Sequence, residues 1–242
     1  MGKKTPKVLI VLPVYNEEKE LEANTLKIRN FILGKLSPVD FEIQIADNGS
    51  TDKTSEIGRQ LATQYKEISL FRLEEKGRGR AVKEAWREGE ADIFSYMDID
   101  LSTDLKHLSA LINAIEAGFD IAIGSRLLPS SKVLGRSLKR EILSRGYNFL
   151  IKILFGTHFS DAQCGFKAVN LKAAKELLPK IVDNEWFFDS ELLIMGEKSG
   201  FKIYEEPVAW TDNPGSTVRV LKTVTGDLRG LLRLFFYRPW KK

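Results

Sequence analysis

Cysteine and histidine are scarce in this chain of 242 residues, which contains one cysteine, Cys164, and two histidines, His107 and His158. A single cysteine cannot form an internal disulfide bond, and the two distant histidines do not suggest a zinc site. Any metal ion is therefore expected to be held by carboxylates, which favours Mg²⁺ or Mn²⁺.

Long hydrophobic runs are also missing. A membrane-spanning helix needs about 18 or more apolar residues, and the longest apolar stretches, 149–155 and 231–237, are interrupted by Lys152 and Arg233. The short basic N-terminus, followed by one strand-length apolar run, does not have the pattern of a signal peptide. We therefore expect a cytoplasmic protein, with a peripheral position on the cytoplasmic face of a membrane as the alternative.

No glycine follows the first predicted strand, the continuous apolar run at 7–13. Dinucleotide-binding folds place a glycine-rich turn at this point, so the sequence argues against a nicotinamide or flavin enzyme. Further along, residues 75–80 (EKGRGR) lack the spacing and the Lys-Ser/Thr pair of a phosphate-binding P-loop. Two interpretations of that segment stay open, a basic loop over a ligand and a simple surface turn.

Strand and helix signals alternate through the first two thirds of the chain. This alternation predicts an α/β fold with an open, mostly parallel twisted sheet and helices on both faces. Later segments are less regular, and a C-terminal amphipathic helix is expected from about residue 218. Predicted strands span 7–13, 41–46, 68–72, 93–97, 120–124, 165–169 and 202–210, and the main predicted helices span 17–33, 51–65, 79–88, 104–117, 138–155, 189–199 and 218–237.

Ligands of such sheets bind beyond the carboxyl ends of the strands, and polar residues follow three of the predicted strands. Tyr15 and Glu17 suit a nucleoside, although the same residues are common at a helix start. Asp47 follows the second strand and is placed to accept hydrogen bonds from a base or ribose. Asp98 and Asp100 follow the fourth strand, where two carboxylates in a cleft repel each other unless a divalent cation bound to a diphosphate relieves the charge.

Basic residues are concentrated in two segments. Residues 126–152 contain seven Lys or Arg and one Glu, and residues 219–242 contain seven Lys or Arg and one Asp, whereas the whole chain has a net charge of only +4. This asymmetry indicates an anionic partner such as phosphate, acidic lipid or nucleic acid, and the alternative is a pair of solvated helix faces.

The strand-end motifs together with later ones resemble the family 2 glycosyltransferases, and most closely the dolichyl- and polyprenyl-phosphate sugar synthases. The resemblance covers nearly the whole chain in the same order. It is carried by residues 13–17 (PVYNE), 47–52 (DNGSTD), 77–81 (GRGRA), 98–102 (DIDLS), 124–126 (GSR), 144–148 (SRGYN), 161–167 (DAQCGFK), 206–208 (EPV) and 214–216 (PGS).

This resemblance implies a GT-A fold, a nucleotide-diphosphate-sugar donor, Mg²⁺ or Mn²⁺, and a polyprenyl phosphate acceptor with inversion at the anomeric carbon. By position, the donor site would comprise Pro13, Tyr15, Glu17, Asp47, Asp98, Ile99 and Asp100. The metal would lie at Asp98, Asp100 and Ser102, and the acceptor phosphate at Arg126, Arg140 and Ser144. The residues expected to take part in catalysis are Asp98, Asp100, Arg126, Asp161 and Asp189.

Three positions depart from the mannose synthases. Ser102 stands where those enzymes carry a glutamine metal ligand, and Asn48 replaces the second aspartate of the usual Asp-Asp-Gly-Ser motif. The loop after Pro207 lacks the expected Arg and Lys and is closer to that of the glucosyl and bacterial polyprenyl-phosphate branch. The donor sugar, glucose or mannose, therefore stays open.

Guanidinium groups bind phosphate in a bidentate manner, which suits Arg126 and Arg140 to an acceptor phosphate. Asp161 and Asp189 are expected near the sugar, and the alternative is that they cap a helix or close a turn. The other functional hypotheses are a sugar-1-phosphate nucleotidyltransferase and a non-enzymatic basic peripheral-membrane module. No nucleic-acid partner is expected.

The expected domain organisation is a glycosyltransferase domain at 1–217 followed by the basic amphipathic helix at 218–242. Its apolar stripe has basic residues on both sides, which suits a helix on a membrane surface. The alternative is that the stripe packs on the catalytic domain.

Overall fold

The computed structural model describes residues 5–36, 40–212 and 220–241. Seven strands form one sheet in the order β3-β2-β1-β4-β7-β5-β8, and β6 pairs with β9 in a second, two-stranded sheet. The strands are β1 (Lys7–Val14), β2 (Asp40–Asn48), β3 (Ile68–Leu73), β4 (Ile93–Met97), β5 (Ile121–Ser125), β6 (Lys132–Leu134), β7 (Phe166–Asn170), β8 (Ile203–Pro207) and β9 (Ala209–Thr211).

Helices cover both faces of the large sheet. They are α1 (Leu21–Lys35), α2 (Thr54–Gln64), α3 (Arg78–Glu88), α4 (His107–Glu116), α5 (Leu138–Phe155), α6 (Leu171–Leu177), α7 (Phe188–Lys198) and α8 (Val220–Tyr237), with short 3₁₀ turns at Leu178–Lys180 and Pro239–Lys241.

Strand β1 shows why its sequence is apolar without interruption. Leu9 and Val11 belong to the hydrophobic core on one face of the sheet, whereas Val8, Ile10 and Leu12 belong to the core on the other face. Side chains alternate between the two faces of a strand, so a strand covered on both sides is apolar at every position. The predicted α/β fold with helices on both faces is confirmed.

The sheet is mixed, because β7 runs antiparallel to both β4 and β5 while the other pairs in the sheet are parallel. The strand predicted at 202–210 is two strands. Strand β8 pairs with β5 in the large sheet, and β9 pairs with β6 in the small one. Apolar alternation does not encode strand direction or sheet membership, so neither feature was visible in the sequence.

Helix α1 begins at Leu21, four residues later than predicted. The preceding segment is fixed to the loop after β2, since Asn16 N–H donates to Ser50 Oγ at 2.9 Å and Glu17 N–H donates to Thr54 Oγ1 at 2.8 Å. Asn16 has a positive φ of 56°, a conformation that asparagine tolerates better than most residues. The first acidic residues therefore belong to a loop at the sheet edge.

Helix α8 packs on the rest of the chain. Leu231 and Leu234 are buried, and the Arg233 guanidinium makes two 2.9 Å contacts with the Glu191 carboxylate on α7. Its opposite face leaves Leu228, Leu232 and other apolar side chains exposed. The turn predicted at 212–216 and the predicted domain boundary after residue 217 fall mostly or wholly within 213–219, outside the described residues.

Candidate active site

The segments that follow β1, β2 and β3 meet at the carboxyl edge of the large sheet. Val14 pairs with Asp47 in the parallel register of β1 and β2. The Asn48 side chain donates to the Val14 carbonyl at 2.7 Å and accepts from the Gly77 N–H at 3.2 Å. Asn48, which replaces an aspartate of the usual motif, therefore joins the end of β1 to the loop before α3.

The carboxylates at this edge are concentrated enough to perturb one another. Burial, followed by the charges of Glu20 and Asp100, raises the pKa of Glu17 from its ordinary 4.5 to about 7. Burial and then the Asp98 charge also raise the pKa of Asp100. Such a site favours a cation, which would lower both pKa values.

The carboxylates at this edge are compatible with a divalent cation that is held mainly by its substrate. Within the described ranges, no group of three or more His, Cys, Asp or Glu side chains is arranged to hold a metal ion. Mg²⁺ uses one or two carboxylates and completes its shell with phosphate oxygens and water, which fits Asp98 and Asp100. Ser102 donates its hydroxyl to Asp100 Oδ2 at 2.8 Å and its N–H to Asp100 Oδ1 at 2.9 Å, so it orients that carboxylate.

The residues expected to hold the nucleoside surround the end of β1. Pro13 is buried, and Lys76 Nζ lies 3.2 Å from the ring centroid of Tyr15, on the face predicted for a base. The Ile99 carbonyl accepts from Asn24 Nδ2 at 2.9 Å. The loop at 75–80 thus reaches the first strand end and is not an isolated surface turn.

Asp47 is fully buried, and its carboxylate accepts hydrogen bonds from protein groups. Ser50 N–H donates to Oδ1 at 2.9 Å, while the Ser55 hydroxyl and Arg72 both contact Oδ2. In this arrangement Asp47 orders the loop after β2 and holds Arg72 at the edge of the site. Direct contact between Asp47 and a nucleoside stays a prediction.

An arginine that sequence reasoning did not single out lies in the centre of the site. Arg78, the first residue of α3, donates to Asp98 Oδ1 from Nε at 3.1 Å and from Nη2 at 2.6 Å, and to Asp189 Oδ2 from Nη1 at 2.8 Å. Asp189 also accepts from Tyr96 and lies 2.9 Å from the buried Lys167 ammonium. The two glycines flanking Arg78 were the available signal, because they mark a close backbone approach.

Arg126 and Asp161, both predicted to take part in catalysis, form one unit. The Arg126 guanidinium donates to Asp161 at 2.8 Å and 2.9 Å, and the Arg126 N–H donates at 3.0 Å. Burial alone would raise the pKa of Asp161, but Arg126 outweighs it and holds the pKa at about 2. Asp161 is thus an ionised carboxylate that fixes the orientation of Arg126.

The second predicted acceptor arginine, Arg140, contacts the Asp212 carboxylate at 2.5 Å and 2.6 Å. Ser144 lies one turn further along α5, and its buried hydroxyl has no hydrogen-bond partner among the described residues. A third guanidinium, Arg136, is close enough that its pKa is lowered by burial and then by the charge of Arg126. These groups form a cationic cluster at the start of α5, to which the sequence reasoning did not assign Arg136.

Comparison with known families identifies the class of protein to which this fold and its strand-end carboxylates belong. The model of glycosyl transferase family 2 matches residues 9–178, and the chain belongs to this family. The family resemblance noted in the sequence is confirmed.

Named relatives narrow the resemblance further. The chain is 35% identical over 232 residues to "Glycosyltransferase AglD" of Haloferax volcanii, covering 95% of this chain and 37% of that protein. It is 32% identical over 233 residues to "Dolichol-phosphate mannosyltransferase" of Pyrococcus furiosus, covering 94% and 63%. It is 29% identical over 243 residues to "Dolichyl-phosphate beta-glucosyltransferase" of Dictyostelium discoideum, covering 94% and 73%. The chain therefore spans less than two thirds of the first two relatives.

Solved structures support the GT-A fold. Glucosyl-3-phosphoglycerate synthase from Mycobacterium tuberculosis, in complex with Mn²⁺, UDP-glucose and phosphoglyceric acid, matches with a TM-score of 0.68 at 15% sequence identity. The match covers 95% of this chain and 79% of that one. At this level of identity the likeness concerns the fold.

Proposed function

We propose that this chain is a metal-dependent inverting glycosyltransferase that moves a hexose from a nucleotide-diphosphate-sugar to a polyprenyl phosphate at the cytoplasmic face of a membrane. One observation carries the proposal. The carboxylates Asp98 and Asp100 and the arginine Arg126 lie at one edge of the sheet. Burial alone would lower the pKa of Arg126, but the charges of Asp161 and Asp98 outweigh burial and raise that pKa above its ordinary value. Anionic donor and anionic acceptor would thus be held side by side.

On the donor side, Asp98 and Asp100 would hold Mg²⁺ or Mn²⁺, with Asp100 oriented by Ser102. When bound, the cation would supply Lewis-acid stabilisation of the departing nucleoside diphosphate. Pro13, Tyr15, Glu17 and Asp47 would form the nucleoside side. Mn²⁺ and UDP-glucose in the structural neighbour support this donor-side assignment. Dolichol or dolichyl phosphate in the names of two relatives supports a polyprenyl phosphate as the acceptor.

On the acceptor side, a phosphate is already ionised at neutral pH and needs positioning more than deprotonation. Arg126, held by Asp161, and Arg140, held by Asp212, present guanidinium groups that suit bidentate phosphate contacts. The Ser144 hydroxyl, which has no hydrogen-bond partner in the part of the chain that the structure describes, offers a further donor. Asp189 stays a predicted residue near the sugar, and its contacts with Arg78 suggest that it acts through that arginine.

A panel assay tests the proposal. UDP- and GDP-hexoses are incubated with undecaprenyl or dolichyl phosphate, and the released nucleotide is measured. Release of nucleoside diphosphate together with a hexosyl lipid supports transfer. Release of pyrophosphate from a sugar-1-phosphate and a nucleoside triphosphate would instead indicate a nucleotidyltransferase.

The membrane association that we propose rests on two exposed apolar stripes. Helix α8 exposes Leu228, Leu232 and Phe236, and α5 exposes Phe149 and Ile153. The two helices are adjacent, since the Phe155 ring contacts the rings of Phe235 and Trp240 at 6.5 Å and 5.9 Å. Arg229, Arg238 and Lys152 lie beside these stripes, a composition typical of interfacial helices. Among the described residues, no helix has the length and apolar character needed to cross a membrane.

Liposome co-sedimentation tests this surface. The double variant Leu232→Ser/Phe236→Ser should lose most of its binding to anionic vesicles, whereas Leu33→Ser, an exposed apolar residue on α1, should bind as wild type does. Binding of the double variant at the wild-type level would rule out α8 as the membrane surface. Vesicle binding by wild type without any sugar transfer would favour the non-enzymatic alternative. We treat α8 as part of the catalytic domain, because one of its faces is buried on it.

A further inference from the structure

Arg78 is the residue that joins the predicted metal site to the predicted sugar side. Its guanidinium lies between Asp98 on the β4 loop and Asp189 on α7, and only about 10% of its side chain is exposed. Its contacts span 20 and 111 residues of sequence. A buried arginine with two carboxylate partners is costly to desolvate, so its presence requires a structural or functional reason.

The backbone around Arg78 is clamped in place. Arg80 N–H donates to the Asn184 carbonyl at 2.9 Å. A Cβ atom at Gly77 would lie 2.6 Å from the Asn184 carbonyl oxygen, and one at Gly79 would lie 2.5 Å from Phe188 Cβ. Residues 77–80 therefore fit closely against the segment before α7, which fixes the distance between Arg78 and Asp189.

Aromatic rings complete the enclosure of the guanidinium. The Arg78 Cζ atom lies 5.0 Å from the ring centroids of both Tyr96 and Trp186, within the range of cation–π attraction.

Both Arg78 contacts with Asp98 go to Oδ1. The other oxygen, Oδ2, lies against Gly165, where a Cβ atom would overlap it. The absence of a side chain at Gly165 therefore makes room for Oδ2 itself, while Arg78 holds Oδ1.

The geometry points to Arg78 as a positioning residue that acts as a built-in cation, holding Asp98 through Oδ1 and competing with the divalent cation for the charge of that carboxylate. The inference rests on the proposed function, because it assigns the metal to Asp98 and Asp100. Arg78 would weaken metal binding to the nucleotide-free protein, so that the cation is retained mainly when it arrives with the diphosphate. It would also keep Asp98 and Asp189 in fixed relative positions during transfer.

The test measures Mn²⁺ binding to the nucleotide-free full chain by electron paramagnetic resonance, beside steady-state kinetics. Arg78→Gln removes the competing charge. It should bind Mn²⁺ at least about tenfold more tightly, as expected for loss of a nearby cation, while kcat falls by about a hundredfold or more. Unchanged or weaker Mn²⁺ affinity in this variant would overturn the inference.

Arg78→Lys keeps the charge but loses the planar fork. Its Mn²⁺ affinity should stay within about twofold of wild type while kcat falls at least about tenfold. Wild-type kcat in Arg78→Lys would contradict the positioning role, and this variant decides that role if Arg78→Gln does not fold. The matched control is Arg80→Gln, which removes an arginine of the same helix that is paired with the exposed Glu75 and should leave Mn²⁺ affinity unchanged.

Mn²⁺ binding distinguishes a failure of the metal-dependent function from a failure of the role proposed for Arg78. If wild type binds no Mn²⁺ with or without nucleoside diphosphate, the metal-dependent function is wrong. If wild type binds Mn²⁺ and Arg78→Gln does not alter the affinity, only the role of Arg78 is wrong.

Discussion

Replacing Asp161 by asparagine should destabilise the protein and should do so in a pH-dependent way. The Asp161 side chain is fully buried, and the Arg126 side chain that it contacts is 12% exposed. The Asp161→Asn substitution would keep the shape of the side chain but would leave the Arg126 guanidinium without its counter-charge. Removing one partner of a buried ion pair is destabilising because the other charge stays desolvated.

The magnitude follows from the pKa of the carboxyl group. Its pKa falls from an ordinary 3.8 to about 2 in the folded chain. At 1.36 kcal/mol per pKa unit, ionised Asp161 contributes about 2 kcal/mol to the free energy of unfolding at pH 7. Because the folded-state pKa is lowered, this contribution is fully present above pH 4 and is lost as the pH falls through about 2.

Urea unfolding of wild type and Asp161→Asn between pH 7 and pH 2.5 measures this contribution. We expect the difference in unfolding free energy to be about 2 kcal/mol at pH 7 and to narrow steadily below pH 4. Asp40→Asn, at an exposed position that begins β2, is the control and should change little. A difference below about 0.5 kcal/mol at pH 7, or one that does not narrow in acid, would refute the ion-pair reasoning.

Three further predictions concern the site and helix α8. Gly165→Ala should abolish turnover in a folded protein, because the new Cβ would overlap Asp98 Oδ2. A Cβ at Gly146 on α5 would meet nothing within 4 Å, so Gly146→Ala should remain active. Equal steady-state kinetics of the two variants would contradict this geometry. Arg233→Ala should lower the unfolding free energy measured by urea titration by about 2–4 kcal/mol, because it leaves the buried Glu191 carboxylate without its guanidinium partner. If this variant loses no more stability than the control Arg229→Ala, at an exposed position of the same helix, the ion pair is unimportant. Glu17→Gln should raise the melting temperature of the metal-free chain at pH 8 but not at pH 4.5. The pKa of Glu17 is raised to about 7, so its ionised form destabilises the folded chain above that pH. Equal changes in melting temperature at both pH values would exclude ionisation of Glu17 as the cause.

The fold was readable from the sequence where one local pattern decides the structure. Continuous apolar runs gave the buried strands β1 and β4, and the polar residues that follow them, such as Glu17 and Asp98, do lie together at one sheet edge. Strand direction was not readable, because a buried strand such as β7 has the same composition in either orientation.

The connections within the site were less accessible to sequence reasoning. Arg126 and Asp161 are 35 residues apart, and Arg140 and Asp212 are 72 residues apart, so only the folded chain shows that they are paired. Asp47 was predicted from its position after a strand, but position alone does not show that Ser50, Ser55 and Arg72 surround its carboxylate. Arg78 was visible only as one of several basic residues in a glycine-containing loop.

Metal-dependent transfer to a lipid phosphate is the central claim, and one reaction tests it directly. The purified full chain is incubated with a nucleotide-diphosphate-hexose and polyprenyl phosphate in Mn²⁺ or Mg²⁺, and nucleoside diphosphate and hexosyl lipid are quantified together. We predict equal amounts of the two products, none in EDTA, and none with Asp100→Ala, because the diphosphate leaves only when its charge is neutralised. Undiminished formation of both products in metal-free buffer, or by Asp100→Ala, would contradict the proposed mechanism.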